Sequence, residues 1–424
     1  MRWGIGVIGL ALAAPAAAQQ AEVTLGEAVR RALQVQPAMV AAQGDRRDAG
    51  AASRTALGAF LPTVTTSASA SRSNVSRVDF GTGRPIPPEY TYTLGLSASL
   101  ELFDGFRRLA GRRAAAAGAD AAEAGVVNQR FQVALQTKQL FYDALAREEL
   151  VRVAEAQVRR AEQQLQISVE KLRAGSATRS DSLRSTVDLG NARLALLQAR
   201  ANLATAQASL GRQIGVDGSM RAVPDSALPE LPDTTELRVS ALEGAPQVNQ
   251  AESQARAARA QTWVARSQYW PTLSVSYNDN RQGTGSPFQN FSNYPETFSW
   301  RFGLSWTLFN GFGREANQVA AGVQKDVAAA RAADARRQVN AQLTQQLAAL
   351  FTAYAQIEIS RANVAAATED LRVQQERYRV GAATILELLT SQANLTQAQV
   401  SLVQARFDYL IARAQVEALV GRTL

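Results

Sequence analysis

The residue types that most often carry chemistry are absent or scattered here. The 424-residue sequence has no Cys and no His. That removes thiol nucleophiles, thiolate metal sites, disulfides and the commonest general base. Zinc enzymes, Cys hydrolases and Ser-His-Asp triads are excluded with them. No Gly-rich loop is placed to cradle a phosphate, and no carboxylates cluster at metal-ligand spacing. No metal, cofactor or catalytic residue is expected, and the chain reads as a non-enzyme. The formal charge is +8, and a basic chain could bind nucleic acid. But Arg152, Arg159, Arg160, Arg331, Arg336 and Arg337 are spread singly, usually with an acid nearby, and no basic block interleaves with aromatics. They read as solvated helix faces, and no nucleic-acid partner is expected.

The charged and special residues that do keep a fixed spacing occur in pairs, because the chain contains one unit twice. Leu102-Phe103-Asp104-Gly105-Phe106 matches Leu308-Phe309-Asn310-Gly311-Phe312. Glu170-Lys171-Leu172-Arg173-Ala174-Gly175-Ser176-Ala177-Thr178 matches Glu376-Arg377-Tyr378-Arg379-Val380-Gly381-Ala382-Ala383-Thr384. Gly311, Gly381 and Gly421 each stand 206 positions after Gly105, Gly175 and Gly215. Pro37 and Pro62 pair with Pro246 and Pro271 at an offset of 209, so the first copy carries three extra residues between its Pro and its Gly.

The elements that position these residues are of two kinds. Thr297–Leu308 alternates strictly, with Phe298, Trp300, Phe302, Leu304, Trp306 and Leu308 against small or polar neighbours that include Arg301. A period of two is a strand with one apolar and one wet face. Tyr92–Leu102 alternates in the same way, Thr63–Arg72 and Leu273–Asn280 more weakly, giving two hairpins of strands about ten residues long, enough to span a bilayer when tilted. After each Gly-Phe junction come about 65 residues of Ala, Gln, Arg, Glu, Val and Leu with no Pro, a helix on the order of 100 Å long. The first runs Phe106–Leu172, with Val151, Ala154, Val158, Ala161, Leu165, Val169 and Leu172 on one stripe. Gly175 sits in a turn where a positive φ would be cheap, and Thr178 or Ser180 can cap the returning helix. That helix and its duplicate keep heptads, Leu189, Leu196, Leu203, Leu210 and Leu395, Leu402, Tyr409, Val416, the mark of a coiled-coil seam. Shorter helices are expected over Thr24–Gln36 with Thr24 as N-cap, from Pro37 to about Phe60, and over about Glu236–Gln268.

The order along the chain is therefore a signal peptide at 1–18 (Arg2, an apolar run Ile5–Ala14, then Ala16-Ala17-Ala18), a first structural repeat at 19–215, a loop-rich linker at 216–235 and a second repeat at 236–424. No other apolar run reaches the length of a membrane helix. Yet the Trp300, Phe302, Leu304 and Trp306 face needs a cover in water and needs none in lipid. Lipid-exposed strand edges have no hydrogen-bond partners, and four strands are too few to close a barrel. Several chains must share one: two would give eight strands, three would give twelve and a lumen.

With these residues in view, the chain resembles the TolC family of outer-membrane efflux and secretion proteins. The likeness rests on the Leu-Phe-[Asp/Asn]-Gly-Phe junctions, the turn Tyr378-Arg379-Val380-Gly381-Ala382-Ala383-Thr384-Ile385-Leu386-Glu387-Leu388-Leu389 and the duplicated layout, and it covers essentially the whole mature chain. It implies a mixed α+β membrane protein: a homotrimer in the outer membrane of a Gram-negative bacterium, sharing a twelve-stranded β-barrel that continues into a helical barrel across the periplasm. It implies a passive exit duct for a tripartite pump or type I secretion system, partnered by a periplasmic adaptor and an inner-membrane RND or ABC transporter. The periplasmic tips would be Arg173–Leu183 and Tyr378–Leu389. Arg173, Gly175, Thr178, Asp181, Tyr378, Arg379, Gly381, Thr384 and Glu387 would form the gate and adaptor contact. Asp181 and Glu387 stand where the family often has lumen-facing acids; the other reading of each is a helix-start carboxylate favoured by the dipole. Tyr378 matches a tyrosine that helps hold the closed state. Ala383 and Thr390 depart from the family, where an arginine and a second acid are common, which puts a charged latch in doubt. Gly105 and Gly311 are assigned the strand-to-helix turn, and Trp300 and Trp306 an interfacial belt. The rival readings are a soluble periplasmic coiled-coil adaptor or scaffold, and a porin closing within one chain.

Overall fold

The computed structural model describes residues 21–424 apart from residues 73, 75, 76, 79, 80, 84, 87, 88, 225–227, 233–243 and 285–293. The expected signal peptide lies outside these residues, as do parts of the linker and the start of the helix expected from Glu236. In chain order the elements are β1 (Glu22–Val23), α1 (Leu25–Val35), α2 (Pro37–Gly58), β2 (Thr63–Arg72), β3 (Arg77–Val78), β4 (Pro85–Ile86), β5 (Tyr90–Phe103), α3 (Arg107–Arg173), α4 (Arg179–Gln213) and β6 (Arg221–Ala222). The second half follows with α5 (Pro246–Arg266), a short 3-10 turn, β7 (Thr272–Thr284), β8 (Glu296–Ser305), α6 (Gly313–Arg379) and α7 (Ile385–Val420). The two long helices have 67 residues each. Thr24 sits at the start of α1 but its side chain makes no capping bond.

The chain divides into two compact units, and these cut across the sequence repeats. One gathers the described residues of Met1–Val40, Gln129–Glu243 and Ala341–Leu424; the other gathers Ala41–Asn128 and Gly244–Asn340. Each repeat contributes to both.

The first unit is packed helix. Phe141, Leu210, Ile214 and Met220 form one core with Val23 and Ala28, and Leu350, Ile357, Tyr409 and Val416 form another. All four heptad positions of α7 are buried or half-buried, Tyr409 and Val416 completely. Each such side chain contributes roughly 1.5–3 kcal/mol, and packing of this kind holds helices that propensity alone does not. The Tyr409 hydroxyl donates to the carbonyls of Pro229 and Glu230, pinning the linker. Strands β1 and β6 pair in parallel, Val23 with Ala222, tying the start of the first repeat to the linker that follows it.

The second unit holds a four-stranded antiparallel sheet in the order β2-β5-β7-β8. Its register separates two faces over most of the sheet. One row reads Val64, Ala98, Tyr277, Trp300 across the four strands, and the next row reads Thr65, Ser97, Asn278, Ser299. One face is apolar and aromatic from Leu304 to Trp300, with Asp279 between Leu96 and Phe298 in the next row on that face and Arg281 beside Glu296 in the one after; the other is mostly Ser, Thr, Asn and Gly with Arg301. The two hairpins share one register: Thr63 opposite Ser99 in the first becomes Thr272 opposite Ser305 in the second, at the offsets of 209 and 206 read from the sequence. The three extra residues therefore lie in the loop between β2 and β5.

One boundary needs correction. The strand expected to reach Leu308 ends at Ser305, so Trp306 stands just beyond it, its indole N–H donating to the Tyr269 carbonyl at 3.2 Å. The cause is a missing partner. Strand β5, with the same pattern, continues to Phe103 because β7 pairs with it there. Strand β8 has β7 on one side, and that pairing ends at Thr272 opposite Ser305.

Candidate functional site

Three places carry the residues singled out by the sequence: the turns between long helices, the strand-to-helix junctions, and the apolar face of the sheet.

Each turn is built from two local motifs back to back. Helix α3 ends in a Schellman motif: Gly175, at φ 72°, donates to the Leu172 carbonyl at 3.0 Å, and Ser176 donates to that of Lys171 at 2.9 Å. Helix α6 ends identically, with Gly381 at φ 83° and the bonds Gly381 to Tyr378 and Ala382 to Arg377. Glycine is required because L side chains resist that conformation. Arg173 and Arg379 are the last residues of these helices, where a cation meets the negative end of the dipole.

The returning helices open with capping boxes. Thr178 caps α4: its Oγ1 accepts from the Asp181 N–H at 3.2 Å, and Asp181 Oδ2 accepts from the Thr178 N–H at 2.9 Å. Thr384 and Glu387 repeat this at the start of α7, at 3.2 and 2.6 Å. Both acids singled out as gate candidates therefore hold their own helix starts with one carboxylate oxygen. Asp181 is half-buried and Glu387 exposed. The bonds from the Thr384 backbone and hydroxyl, with Arg377 nearby, hold the Glu387 carboxyl below the ordinary range.

Tyr378 is buried in a cluster with Leu371, Ile385, Leu388 and Leu395, against which Ala383 packs. Its hydroxyl has no hydrogen-bond partner among the described residues. What grips this residue is Lys171, whose ammonium lies 4.2 Å from the ring centroid and donates to the Tyr378 carbonyl. Sequence reading missed Lys171. Its position opposite a tyrosine is set by the approach of two helices far apart in the chain.

The junctions hold a second surprise. Gly105 and Gly311 have φ of 64° and 66°, and so do the residues after them: Phe106 is at 65° and Phe312 at 66°. Two successive left-handed residues reverse the chain from strand to helix, and a non-Gly residue there is strained. Asp104 compensates by accepting from the Arg108 N–H at 2.9 Å and its Nε at 3.0 Å, while Arg108 Nη2 reaches the Leu102 carbonyl at 3.2 Å. Asn310 and Arg314 repeat the arrangement in part: the Arg314 N–H donates to Asn310 Oδ1 at 3.4 Å and its guanidinium to the carbonyls of Thr307 and Leu308, both at 2.9 Å, while its Nε has no partner among the described residues. The Asx-x-x-x-Arg spacing was legible in both repeats and marks these residues. Phe103 and Phe106 meet edge to face at 5.4 Å, as do Phe309 and Phe312.

On the sheet, Phe298, Trp300, Phe302 and Leu304 are 65, 63, 69 and 73% exposed, with the Tyr277 ring tilted against Trp300 at 4.9 Å. A contiguous bare aromatic face of this kind marks an interaction surface. No described helix is long and apolar enough to cross a membrane, which leaves the β-sheet face as the apolar surface to be explained.

Comparison with known proteins agrees with this geometry. Residues 28–216 and 237–422, one segment in each repeat, match the family model described as Outer membrane efflux protein. The chain is 25% identical over 376 residues to the outer membrane efflux protein BepC of Brucella suis, covering 86% of this chain and 78% of BepC. Its fold is that of VceC from Vibrio cholerae, with a TM-score of 0.79 at 18% identity over 94% of this chain and 96% of VceC. It is likewise that of the CmeC outer membrane channel of Campylobacter jejuni, with a TM-score of 0.80 at 18% identity over 94% and 85% of the two chains.

Proposed function

The chain belongs to the outer membrane efflux protein family, and on that premise we propose that it is the passive exit duct of a tripartite efflux pump or a type I secretion system. The family is one of channels rather than enzymes, found in the outer membrane of Gram-negative bacteria with its helices in the periplasm. Three copies share a twelve-stranded barrel, and the Ser, Thr, Asn and Gly face of the sheet lines its lumen. Substrate arrives through a periplasmic adaptor from an inner-membrane RND or ABC transporter, which supplies the energy. The helix turns around Gly175 and Gly381 are the periplasmic gate and the adaptor contact, with Asp181 and Glu387 ringing the opening.

The observation that carries this reading is the two-faced sheet. It presents Phe298, Trp300, Phe302 and Leu304 bare on one side and hydrogen-bonding side chains on the other. Lipid and a water-filled lumen are the two environments that suit those faces together. A soluble coiled-coil scaffold would leave the aromatic side uncovered.

The test is the mass of the detergent-extracted protein from isolated outer membranes, followed by conductance in planar bilayers. A trimer that conducts is expected. A soluble monomer or dimer without conductance would overturn the duct.

A further inference from the structure

The apolar side of the sheet does not stop where the strands end. Phe103 stands opposite Leu273, and Leu273 opposite Leu304, so all three share the apolar face. Phe106, at the left-handed turn into α3, meets Phe103 edge to face at 5.4 Å and carries that face onto the helix. There the start of α3 meets the end of α5 closely: a Cβ on Gly105 would stand 2.5 Å from Trp270 Cβ and 2.6 Å from the Ser267 carbonyl.

Next to this seal lies a cavity of about 410 Å³, within the roughly 300–1,000 Å³ of small-ligand sites. Phe106, Leu109, Trp263 and Trp270 give it apolar walls. Its charged residues are Arg113 and Arg266, with no carboxylate among the described lining. Trp263 and Trp270 are each 57% exposed, a large aromatic surface left bare. The Arg266 guanidinium lies 5.3 Å from the centre of the Trp263 ring, and neither arginine has an ion pair among the described residues. Trp263 and Arg266 also border a groove against α6, where Arg259 and Lys325 add positive charge, the latter shared with Asp326 at 3.1 Å.

The duplicated unit does without this set. At the offsets of 206 and 209, Arg113, Trp263, Arg266 and Trp270 correspond to Val319, Arg54, Leu57 and Leu61. Helices α2 and α6 form with those residues instead, and nothing lies within 4 Å of a Cβ on Gly311. Two arginines between two tryptophans therefore need a reason other than folding.

Depth and charge identify the occupant. Gly105 and Trp270 stand two residues outside strands β5 and β7. Arg113 and Arg266 are about 6–12 Å farther along their helices. With the apolar strands in hydrocarbon, that is the level of the headgroups, within reach of a long arginine side chain. Two guanidiniums without a carboxylate suit a phosphate, and tryptophan suits the boundary between apolar and polar layers. Strands β5 and β7 are the inner pair of the sheet, so the cavity is away from the edges at which a shared barrel closes. We propose that Arg113 and Arg266 bind the phosphate of an anionic phospholipid in the inner leaflet of the outer membrane, its acyl chains running over Trp270 and Phe106 onto the apolar face of the sheet. The proposal rests on the outer-membrane reading and adds one lipid site per chain.

Native mass spectrometry of the detergent-extracted protein, titrated with phosphatidylglycerol and with phosphatidylethanolamine, tests it. Preferential retention of phosphatidylglycerol is expected, one tightly held lipid per chain. Arg113→Gln with Arg266→Gln is expected to abolish the preference, each arginine being worth about fivefold in binding. Arg266→Gln alone, a milder change should the pair fail to assemble, is expected to lower it about fivefold. Arg331→Gln removes the same charge from an exposed site on α6 outside the cavity and is expected to leave the preference intact. Glycerol 3-phosphate, the anion without acyl chains, is expected not to displace the lipid. Equal retention of both lipids by the parent protein overturns the site without any variant. An unchanged preference in either glutamine variant, or displacement by glycerol 3-phosphate, overturns it too. A conducting trimer in any of these cases leaves the duct standing, whereas a soluble monomer overturns the duct and the lipid site together.

Discussion

The ammonium of Lys171 lies 4.2 Å from the centre of the Tyr378 ring and donates a hydrogen bond to the Tyr378 carbonyl, so one side chain joins the end of the first long helix to the end of the second. The tyrosine's own hydroxyl has no partner among the described residues. The grip on the tip is therefore a cation on a ring and on a carbonyl, a pairing of about 0.5–2 kcal/mol. Lys171→Met is expected to raise basal conductance several-fold in planar bilayers. Tyr378→Phe, which keeps the ring, should leave conductance unchanged. A rise with Tyr378→Phe would mean that the hydroxyl meets a partner in the assembly.

Glu387 has two roles to separate, cap and charge. Glu387→Gln keeps the capping geometry and removes the charge; Glu387→Ala removes both. If the carboxylates ring the opening, both variants lose cation selectivity. If Glu387 is only a cap, Glu387→Gln conducts like the parent. Thr384→Ala should cost about 1 kcal/mol of tip stability, read as faster local hydrogen exchange.

Acid should loosen the same turn. The folded Glu387 carboxyl titrates below its unfolded value because Thr384 donates to it. Its contribution is thus complete above the unfolded value and is lost as pH falls through the folded one. Protection factors at the start of α7, with the intrinsic pH dependence of exchange divided out, are expected to fall below the ordinary carboxylate range, and Glu387→Gln to remove that dependence.

At the junction, the second repeat is a natural control for the first. Asn310 accepts from the Arg314 N–H as Asp104 does from the Arg108 N–H, but without the further bond that Asp104 takes from the guanidinium. Asp104→Asn should therefore keep the backbone bond and lose the ion pair with Arg108, unfolding at a temperature between those of the parent and Asp104→Leu. Asp104→Leu should lower stability by about 1–3 kcal/mol, because it strips the Arg108 N–H of its acceptor in a buried place and leaves the strained Phe106 unsupported. Thermal unfolding of the detergent-extracted protein measures both.

The two faces of β8 predict opposite sensitivities. Phe302→Arg places a cation on the apolar face and should cost about 2–4 kcal/mol near the bilayer centre, seen as loss of assembled protein in outer membranes. Arg301→Ser, one residue away on the wet face, should assemble normally and change ion selectivity.

Periodicity and repetition alone determined a great deal. The period of two in residues 297–308 and the long Pro-free stretches gave the strands and helices to within a few residues, since both are set by neighbours close in sequence. The offsets of 206 and 209 held through the strand register. Gly175 has the positive φ expected of it, and Thr178, one of the two caps offered with Ser180, is the N-cap; Gly381 and Thr384 do the same in the second copy, because such motifs are local.

What the sequence left undecided depends on distant approach. The Lys171–Tyr378 contact needs two long helices to come together. The left-handed Phe106 and Phe312 follow from a reversal that no propensity favours. The premature end of β8 arises because a strand continues as far as its partner does. Only the tertiary structure decided which edges and junctions one chain seals itself and which it leaves open.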